Sequence, residues 1–326
     1  MLDLIKNFPE QLREALQIGA SADLKAASNK DIQNVVVCGL GGSGIGGDLL
    51  AELLRYEVQV PILVNKGYFL PAYVTENTLL ILSSYSGGTE ETISCANEAL
   101  KRGLKPVCVT SGGKLTEIAR ANGWALITIP GGHPPRACLG YSTIQLFYIL
   151  KHSGLINDSF IKLIADSAAF LEREQDAVRT QTELLAKQLV GKVIIGYAED
   201  KYGSTVLRLK QQINENSKMT CWFNVYPELN HNEIVGWRDT ISNLAVLAFK
   251  TDDVFERVAH RMDYTRDVIV GLLNTVHEVT AKGSNTYEKH FYLIHFGDWL
   301  SYHLSVLHGV DVTEVDVITN LKKKLD

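Results

Sequence analysis

Apolar residues recur along this chain in two alternating rhythms. Short unbroken runs of branched residues give way, after a turn, to stretches with apolar positions three and four apart. The first run, Val35-Val36-Val37-Cys38, ends in Gly39-Leu40-Gly41-Gly42-Ser43-Gly44-Ile45-Gly46-Gly47 and then becomes Leu49-Leu50-Ala51-Glu52-Leu53-Leu54. That order predicts strand, tight turn and helix. The grammar repeats, with strands at 58–64, 78–83, 106–110 and 125–129, helices at 89–100 and 114–122, and a closing helix at 140–152. Ahead of it, the spacing of Leu4, Phe8, Leu12, Ala15 and Leu16 predicts a leading helix over 4–28. A charge-rich helix over 158–190 reads as a connector, after which Val193-Ile194-Ile195-Gly196 restarts the pattern. A helix at 204–213, strands at 220–225 and 243–249, a helix at 252–266, a strand near 268–279 and a long helix at 285–308 follow. Continuous apolar strands alternating with helices imply parallel sheets covered on both faces. The expected fold class is α/β: two doubly wound domains over 1–153 and 191–326, each a parallel sheet flanked by helices, joined by a helical connector over 154–190.

Composition narrows the partners. A chain of 326 residues that is 46% hydrophobic can bury the cores of two domains. A net charge of -5, mixed in sign, marks no general nucleic-acid binder. No apolar run reaches the roughly 18 residues of a membrane span, and Met1 to Pro9 lacks a basic segment leading into an apolar one. Neither a membrane nor a signal peptide is therefore expected. Five cysteines, scattered and without a C-x-x-C pair, read as small buried hydrophobes of a reducing compartment, so a cytoplasmic location is expected.

The candidate chemistry begins at the glycines. Gly39-Leu40-Gly41-Gly42-Ser43-Gly44 follows a strand and fits G-x-G-x-x-G, which raises a dinucleotide site. Such a site wants an acidic residue at the end of the next strand for the ribose hydroxyls, and there the chain reads Val64-Asn65-Lys66. A second stretch, Ser83-Ser84-Tyr85-Ser86-Gly87-Gly88-Thr89-Glu90-Glu91-Thr92, brings hydroxyls and glycines to a helix start. Hydroxyls and backbone N–H groups can hold a phosphate monoester without Lys or Arg. The plainer reading is a helix capped by Thr89, with Glu90 and Glu91 favouring the helix dipole and opposing an anion. Two such loops at the carboxyl ends of neighbouring strands favour the ligand site.

Ser84-Tyr85-Ser86-Gly87-Gly88-Thr89-Glu90-Glu91 resembles the phosphate loop of sugar isomerase (SIS) domains. Together with the Gly39–Gly44 loop, Pro135-Arg136, Asn214-Glu215-Asn216-Ser217-Lys218, Pro227-Glu228-Leu229-Asn230-His231-Asn232-Glu233 and Lys322, it resembles the bifunctional phosphoglucose/phosphomannose isomerases over the whole chain. The resemblance implies two SIS domains and an aldose–ketose isomerase acting on hexose 6-phosphates through a cis-enediol, without cofactor or metal. It implies Ser84, Ser86 and Thr89 as phosphate anchors, with Gly41, Gly42 and Ser43 lining the sugar. It implies Glu215 as the base, with a carboxylate partly desolvated beside the apolar face of Val206, Leu207, Leu209 and Ile213, and Arg136 as the stabiliser of the enediolate. His231 would open the ring, oriented by Asn230, Asn232 and Glu233 and contributed by the partner of a homodimer, with Lys322 assisting. Related isomerases carry Asp-Pro before the last helix and a Thr shortly after. Here Gly309-Val310-Asp311-Val312-Thr313-Glu314-Val315 has no proline, and Val315 takes the Thr place. Glucose 6-phosphate is thus expected ahead of mannose 6-phosphate. Rival readings are a non-catalytic sugar-phosphate sensor and a dinucleotide oxidoreductase, with a metal site as the other reading of Glu228-Leu229-Asn230-His231. The metal reading fares poorly, because Glu228-x-x-His231 lies in a loop and His303 and His308, five apart, do not share a helix face.

Overall fold

The computed structural model describes residues 1–25, 31–239, 243–272 and 275–325. The chain divides into two compact units, Asn7–Glu172 and Met1–Lys6 with Arg173–Asp326, so the division falls inside one long helix, α7 (Ser159–Leu189).

In the Asn7–Glu172 unit, five strands form one parallel sheet: β1 (Asn34–Cys38), β2 (Ile62–Asn65), β3 (Thr78–Ser83), β4 (Val107–Thr110) and β5 (Leu126–Thr128), in the order β2-β1-β3-β4-β5. Cys38 pairs with both Asn65 and Leu82, which fixes the register at the carboxyl ends. Every residue of β3 is buried, as its unbroken apolar run requires. Around the sheet lie α2 (Phe8–Ser21), α3 (Gly41–Leu53), α4 (Glu90–Lys101), α5 (Gly113–Ala121) and α6 (Leu139–His152). A core of Val36, Leu80, Leu82, Ile93, Ala96, Cys108 and Leu115 fills the space between sheet and helices. α6 is buried on all faces from Leu139 to Leu150, which explains why it reads as apolar throughout.

The other unit repeats the plan with four strands: β6 (Val193–Glu199), β7 (Cys221–Tyr226), β8 (Leu244–Lys250) and β9 (Thr275–Thr280), all parallel, in the order β7-β6-β8-β9. Its helices are α1 (Leu2–Lys6), the later part of α7, α8 (Gly203–Ser217), α9 (Glu256–Gly271), α10 (Thr286–His308) and α11 (Asp316–Leu325). Tyr197, Tyr226, Leu229, Val246, Val258, Met262 and Ile269 form a core beneath this sheet. The α/β class, with two parallel sheets each flanked by helices, is as expected.

Boundaries differ where proline or a buried charge intervenes. The leading helix is two helices separated at Asn7, because Pro9 sits in the first turn of α2, where its missing N–H costs nothing. Residues 26–28 of the expected span lie outside the described residues. The strand expected over 58–64 begins only at Ile62. Pro61 accepts from the Val35 N–H at 2.9 Å and has no N–H to return, so the ladder starts after it. The helix expected at 252–266 starts later, at Glu256, because Asp252 and Asp253 are drawn into ion pairs with Lys289. Of the strand expected near 268–279, only β9 from Thr275 forms; 268–271 belong to α9, which runs on to Gly271, and residues 273–274 lie outside the described residues. α8 runs on to Ser217, which places Glu215 inside its last turn rather than beyond its end.

Candidate functional site

In the first sheet, β1 lies between β2 and β3, and successive connections run outward in opposite directions from β1 and β3. A crevice opens at such a switch point, at the carboxyl ends of the strands. Two helices start there, α3 after β1 and α4 after β3, and each presents the N–H groups of its first turn.

Much of the glycine cluster serves packing. A Cβ would stand 2.6 Å from the Gly39 carbonyl oxygen at Gly44, 2.7 Å from Thr143 Oγ1 at Gly46, and 2.9 Å from Val64 Cγ2 at Gly47, so α3 lies closer to its neighbours than any side chain permits. Gly41 differs. It has φ 52 and nothing within 4 Å of a Cβ position, so it opens α3 on a backbone free to approach a ligand. At Gly42 a Cβ would meet the Pro135 carbonyl oxygen at 3.2 Å, which puts the glycine loop against the turn that carries Arg136. Arg136 itself is buried.

The hydroxyl loop is held from behind. Ser84 Oγ and Thr89 Oγ1 lie 2.8 Å apart, and the Gly88 N–H donates to Ser86 Oγ at 3.3 Å. Ser84 is buried, Thr89 is half-buried and Ser86 is exposed. Thr89 occupies the N-cap position of α4, but its side chain makes no capping bond and pairs with Ser84 instead. A hydroxyl that the capping reading assigns to the helix is therefore turned into the loop. Glu90 is exposed and accepts from the Tyr68 hydroxyl at 3.3 Å. Gly87 has φ 65, and a Cβ there would fall 1.8 Å from the Gly112 carbonyl oxygen. The 111–113 turn thus supports the loop directly.

Tyr85, which motif reading passes over, joins the parts. Its N–H donates to Ser43 Oγ at 3.3 Å, its carbonyl accepts from the Ser111 hydroxyl at 2.7 Å, and its hydroxyl accepts from the His133 N–H at 3.2 Å. Burial, with a hydrogen bond to Cys138, lifts the Tyr85 phenol well above the ordinary range, so it stays protonated. One residue thereby links the hydroxyl loop, the glycine loop and the segment leading to Arg136. Gln11 on α2 was also unforeseen. Its Nε2 donates to the Ala137 carbonyl and its Oε1 accepts the Gly140 N–H, each at 2.8 Å, clamping the Arg136 turn and the start of α6. An aromatic residue among small hydroxyls hints at the first residue. Nothing local hints at the second, whose partners lie 126 and 129 residues away.

The remaining candidates belong to the other unit. Glu215 is half-buried on α8, and its carbonyl accepts from Lys218 Nζ at 2.9 Å. α8 is fixed to α10 by Thr205 Oγ1 on His290 Nδ1 (2.9 Å), by Arg208 and Gln212 on Asp298 (2.7–2.9 Å), and by Asn216 Nδ2 on Ser301 Oγ (2.9 Å). His231 is exposed, in a 3-10 turn after β7. The neighbours expected to orient it turn elsewhere. Asn230 donates to Thr265 Oγ1 (2.8 Å), Asn232 donates to Glu228 (2.7 Å), and Glu233 accepts from Asn224 (2.6 Å) and from the Tyr197 hydroxyl. They shape the loop and leave the imidazole to solvent. Lys322 is exposed on α11. The structure therefore brings the loops holding Gly41, Gly42, Ser43, Ser84, Ser86 and Thr89 together with the turn of Arg136, and sets Glu215, His231 and Lys322 on three separate elements.

Among the described residues no group of three or more His, Cys, Asp or Glu side chains is placed to hold a metal ion, and no helix is long and apolar enough to cross a membrane.

Comparison with known proteins gives the following. Residues 179–325 match the family described as the bacterial phospho-glucose isomerase C-terminal SIS domain. The chain is 39% identical to a bifunctional phosphoglucose/phosphomannose isomerase of Caldicellulosiruptor bescii, over 100% of this chain and 98% of that protein. It is 37% identical to the protein of the same description from Thermoplasma acidophilum, over 90% and 89% of the two chains. Among solved structures, the C-terminal domain of glucosamine-fructose-6-phosphate aminotransferase from Francisella tularensis superposes with a TM-score of 0.77 at 15% identity, covering 96% and 98% of the chains; at that identity it speaks for the fold.

Proposed function

This chain belongs to the bifunctional phosphoglucose/phosphomannose isomerase family of SIS-domain enzymes, and on that footing we propose that it interconverts glucose 6-phosphate and fructose 6-phosphate, with mannose 6-phosphate as a second aldose. The observation that carries this reading is the loop Ser84–Thr89. It places paired hydroxyls and a helix N-terminus at the switch point of a family member's first sheet, beside Ser43 and the Arg136 turn.

In this reading Ser84, Ser86 and Thr89 hold the phosphate, which anchors the reacting carbons at the far end of the sugar. Gly41, Gly42 and Ser43 line the sugar. His231, contributed by the partner subunit of a homodimer, and Lys322 move the proton that opens the ring. The Glu215 carboxylate takes the proton from C2 of the open-chain aldose, leaving a cis-enediolate, and returns it to C1 to give the ketose. Arg136 supplies positive charge at the enediolate oxygen. No cofactor enters this scheme, and the route needs no metal. A cytoplasmic location is part of the proposal, supported by five cysteines that are all free thiols.

The test is a coupled assay of the purified chain in EDTA, offering glucose, mannose and fructose 6-phosphates separately. Turnover of the glucose–fructose pair is expected, and Glu215→Gln should abolish it while fructose 6-phosphate still binds. Binding without turnover in the unmodified chain would make it a sugar-phosphate sensor. Near-normal turnover in Glu215→Gln would remove Glu215 as the base.

A further inference from the structure

The segment Asn214-Glu215-Asn216-Ser217-Lys218 ends in a residue to which the proposed chemistry gives no part. Lys218 closes α8 in the left-handed region, at φ 52 and ψ 32. Glycine adopts that conformation freely, whereas a residue with a Cβ is strained there. Among the described residues only Asp31 and Lys218 are non-glycine residues with positive φ. Strain of this kind persists where surrounding contacts over-determine it.

The Lys218 backbone N–H caps α8 on the Ile213 carbonyl, and the further contacts are made by the ammonium group. Lys218 Nζ donates to the Glu215 carbonyl at 2.9 Å, donates to the Asp311 carbonyl, and pairs with Glu314 Oε1 at 3.4 Å. The last carbonyls of a helix have no partner within it and carry the negative end of its dipole, so a cation folded back on them is favourable. Another such carbonyl, that of Ser217, takes Nδ1 of His308, the last residue of α10, at 2.7 Å. The Lys218 side chain therefore does two things. It fixes the backbone of Glu215, and it ties that turn to the 311–314 segment, which leads directly into α11 and Lys322.

Resting on the function proposed above, we infer that Lys218 is a positioning residue. Its ammonium holds the Glu215 turn and the approach to the Lys322 helix in one arrangement.

Lys218→Gly separates this role from that of a helix cap, because glycine keeps the backbone conformation and its capping N–H, relieves the strain, and removes the side chain with its ammonium. Three measurements are made on the full chain: kcat and KM for fructose 6-phosphate, hydrogen exchange of the amides at 312–316, and the same kinetics for Lys218→Arg, whose guanidinium can still donate to both carbonyls. The inference expects Lys218→Gly to fold with its melting temperature unchanged or raised. It expects kcat to fall about ten- to hundredfold, as small misplacements of a catalytic group do, with KM changed by less than about threefold. It expects faster exchange at 312–316 and partial recovery of kcat in Lys218→Arg. Unchanged kcat in Lys218→Gly reduces Lys218 to a cap and overturns the inference, whatever the exchange shows. A fall in kcat with unchanged exchange overturns the tie to the 311–314 segment. If the unmodified chain turns over none of the sugar phosphates, the functional proposal fails and the positioning role falls with it, while the exchange comparison still decides the tie.

Discussion

Replacing Asp298 with alanine tests what holds the Glu215 helix in place. Asp298 on α10 accepts from Arg208 Nη2 at 2.9 and 2.8 Å through its two oxygens, and from Gln212 Nε2 at 2.7 Å. The Arg208 and Asp298 side chains are 3% and 6% exposed, so water screens the pair little. Deleting the carboxylate takes the ion-pair partner from a buried guanidinium, and breaking such a pair costs about 3–5 kcal/mol. That is a large share of the roughly 5–15 kcal/mol by which a domain is stable. With a urea dependence of about 2 kcal/mol per molar, the unfolding midpoint of this unit should fall by about 1.5–2.5 M. The figure measures the loss of one partner, not the worth of the pair, and a second variant separates the two. Arg208→Met with Asp298→Leu removes both charges and should cost far less than the single change, since an apolar replacement of a buried pair is often close to neutral. Urea melts followed by circular dichroism give both numbers. A loss below about 1 kcal/mol in Asp298→Ala, or a double variant as unstable as the single, would refute the argument that charge burial governs this interface.

Other expectations follow from particular contacts. Gly87→Ala forces a Cβ into the Gly112 carbonyl oxygen at 1.8 Å and strains a φ of 65, so it should raise KM for fructose 6-phosphate at least about tenfold and lower stability by roughly 1–3 kcal/mol. Gly88→Ala, with no atom within 4 Å of its Cβ position, should stay within about 0.5 kcal/mol of the parent, and equal effects at the two positions would count against this account of the loop. His295 is buried beside Trp299, whose Nε1 donates to His295 Nε2 at 3.0 Å, and burial pushes its pKa down from 6.5 to about 3. The unfolded chain gains this proton below about pH 6.5 and the folded chain does not, so stability should fall by about 1.4 kcal/mol per pH unit between those values. Urea melts at about pH 7, 6 and 5 check the slope, and stability that does not change over that range would contradict it.

The sheets were legible because their signal is local. An unbroken run such as Thr78–Ser83 admits little besides a strand covered on both faces, and all six of its residues are buried. Helix and strand limits were readable to within a few residues, failing at Pro9, at Pro61 and at Asp252-Asp253. The prolines act through a missing N–H, which the sequence displays. The aspartates act through Lys289, which lies far along the chain and gives no local sign. The two phosphate-type loops were visible for the same reason as the strands, since glycines and hydroxyls sit together in sequence. Their supports were not. Gln11 reaches Gly140, Tyr85 reaches His133 and Asp298 reaches Arg208, and each pairing is fixed by tertiary packing. The neighbours of His231 show the converse. Asn230, Asn232 and Glu233 flank it in sequence, yet each hydrogen-bonds away from it.

The repeated plan raises the question of why the two sheets do different work. The crevice of the first holds Ser84, Ser86, Thr89 and Gly41 at helix starts, where unpaired N–H groups and the positive dipole end welcome an anion. The corresponding place in the second sheet, at the ends of β6 and β8, already contains its own charges. Lys201 Nζ pairs with Glu199 at 3.1 Å and Asp253 at 3.4 Å, and Lys289 Nζ pairs with Asp252 at 2.5 Å and Asp253 at 3.4 Å. Three carboxylates there oppose a phosphate and satisfy the lysines that could have bound one. α8 follows β6 and differs at its other end. Its last turn carries Glu215, and its last carbonyls draw Lys218 and His308. Helix polarity thus distinguishes the two units: in the first, helix starts at the strand ends suit an anion, while in the second the last carbonyls of α8 draw cations.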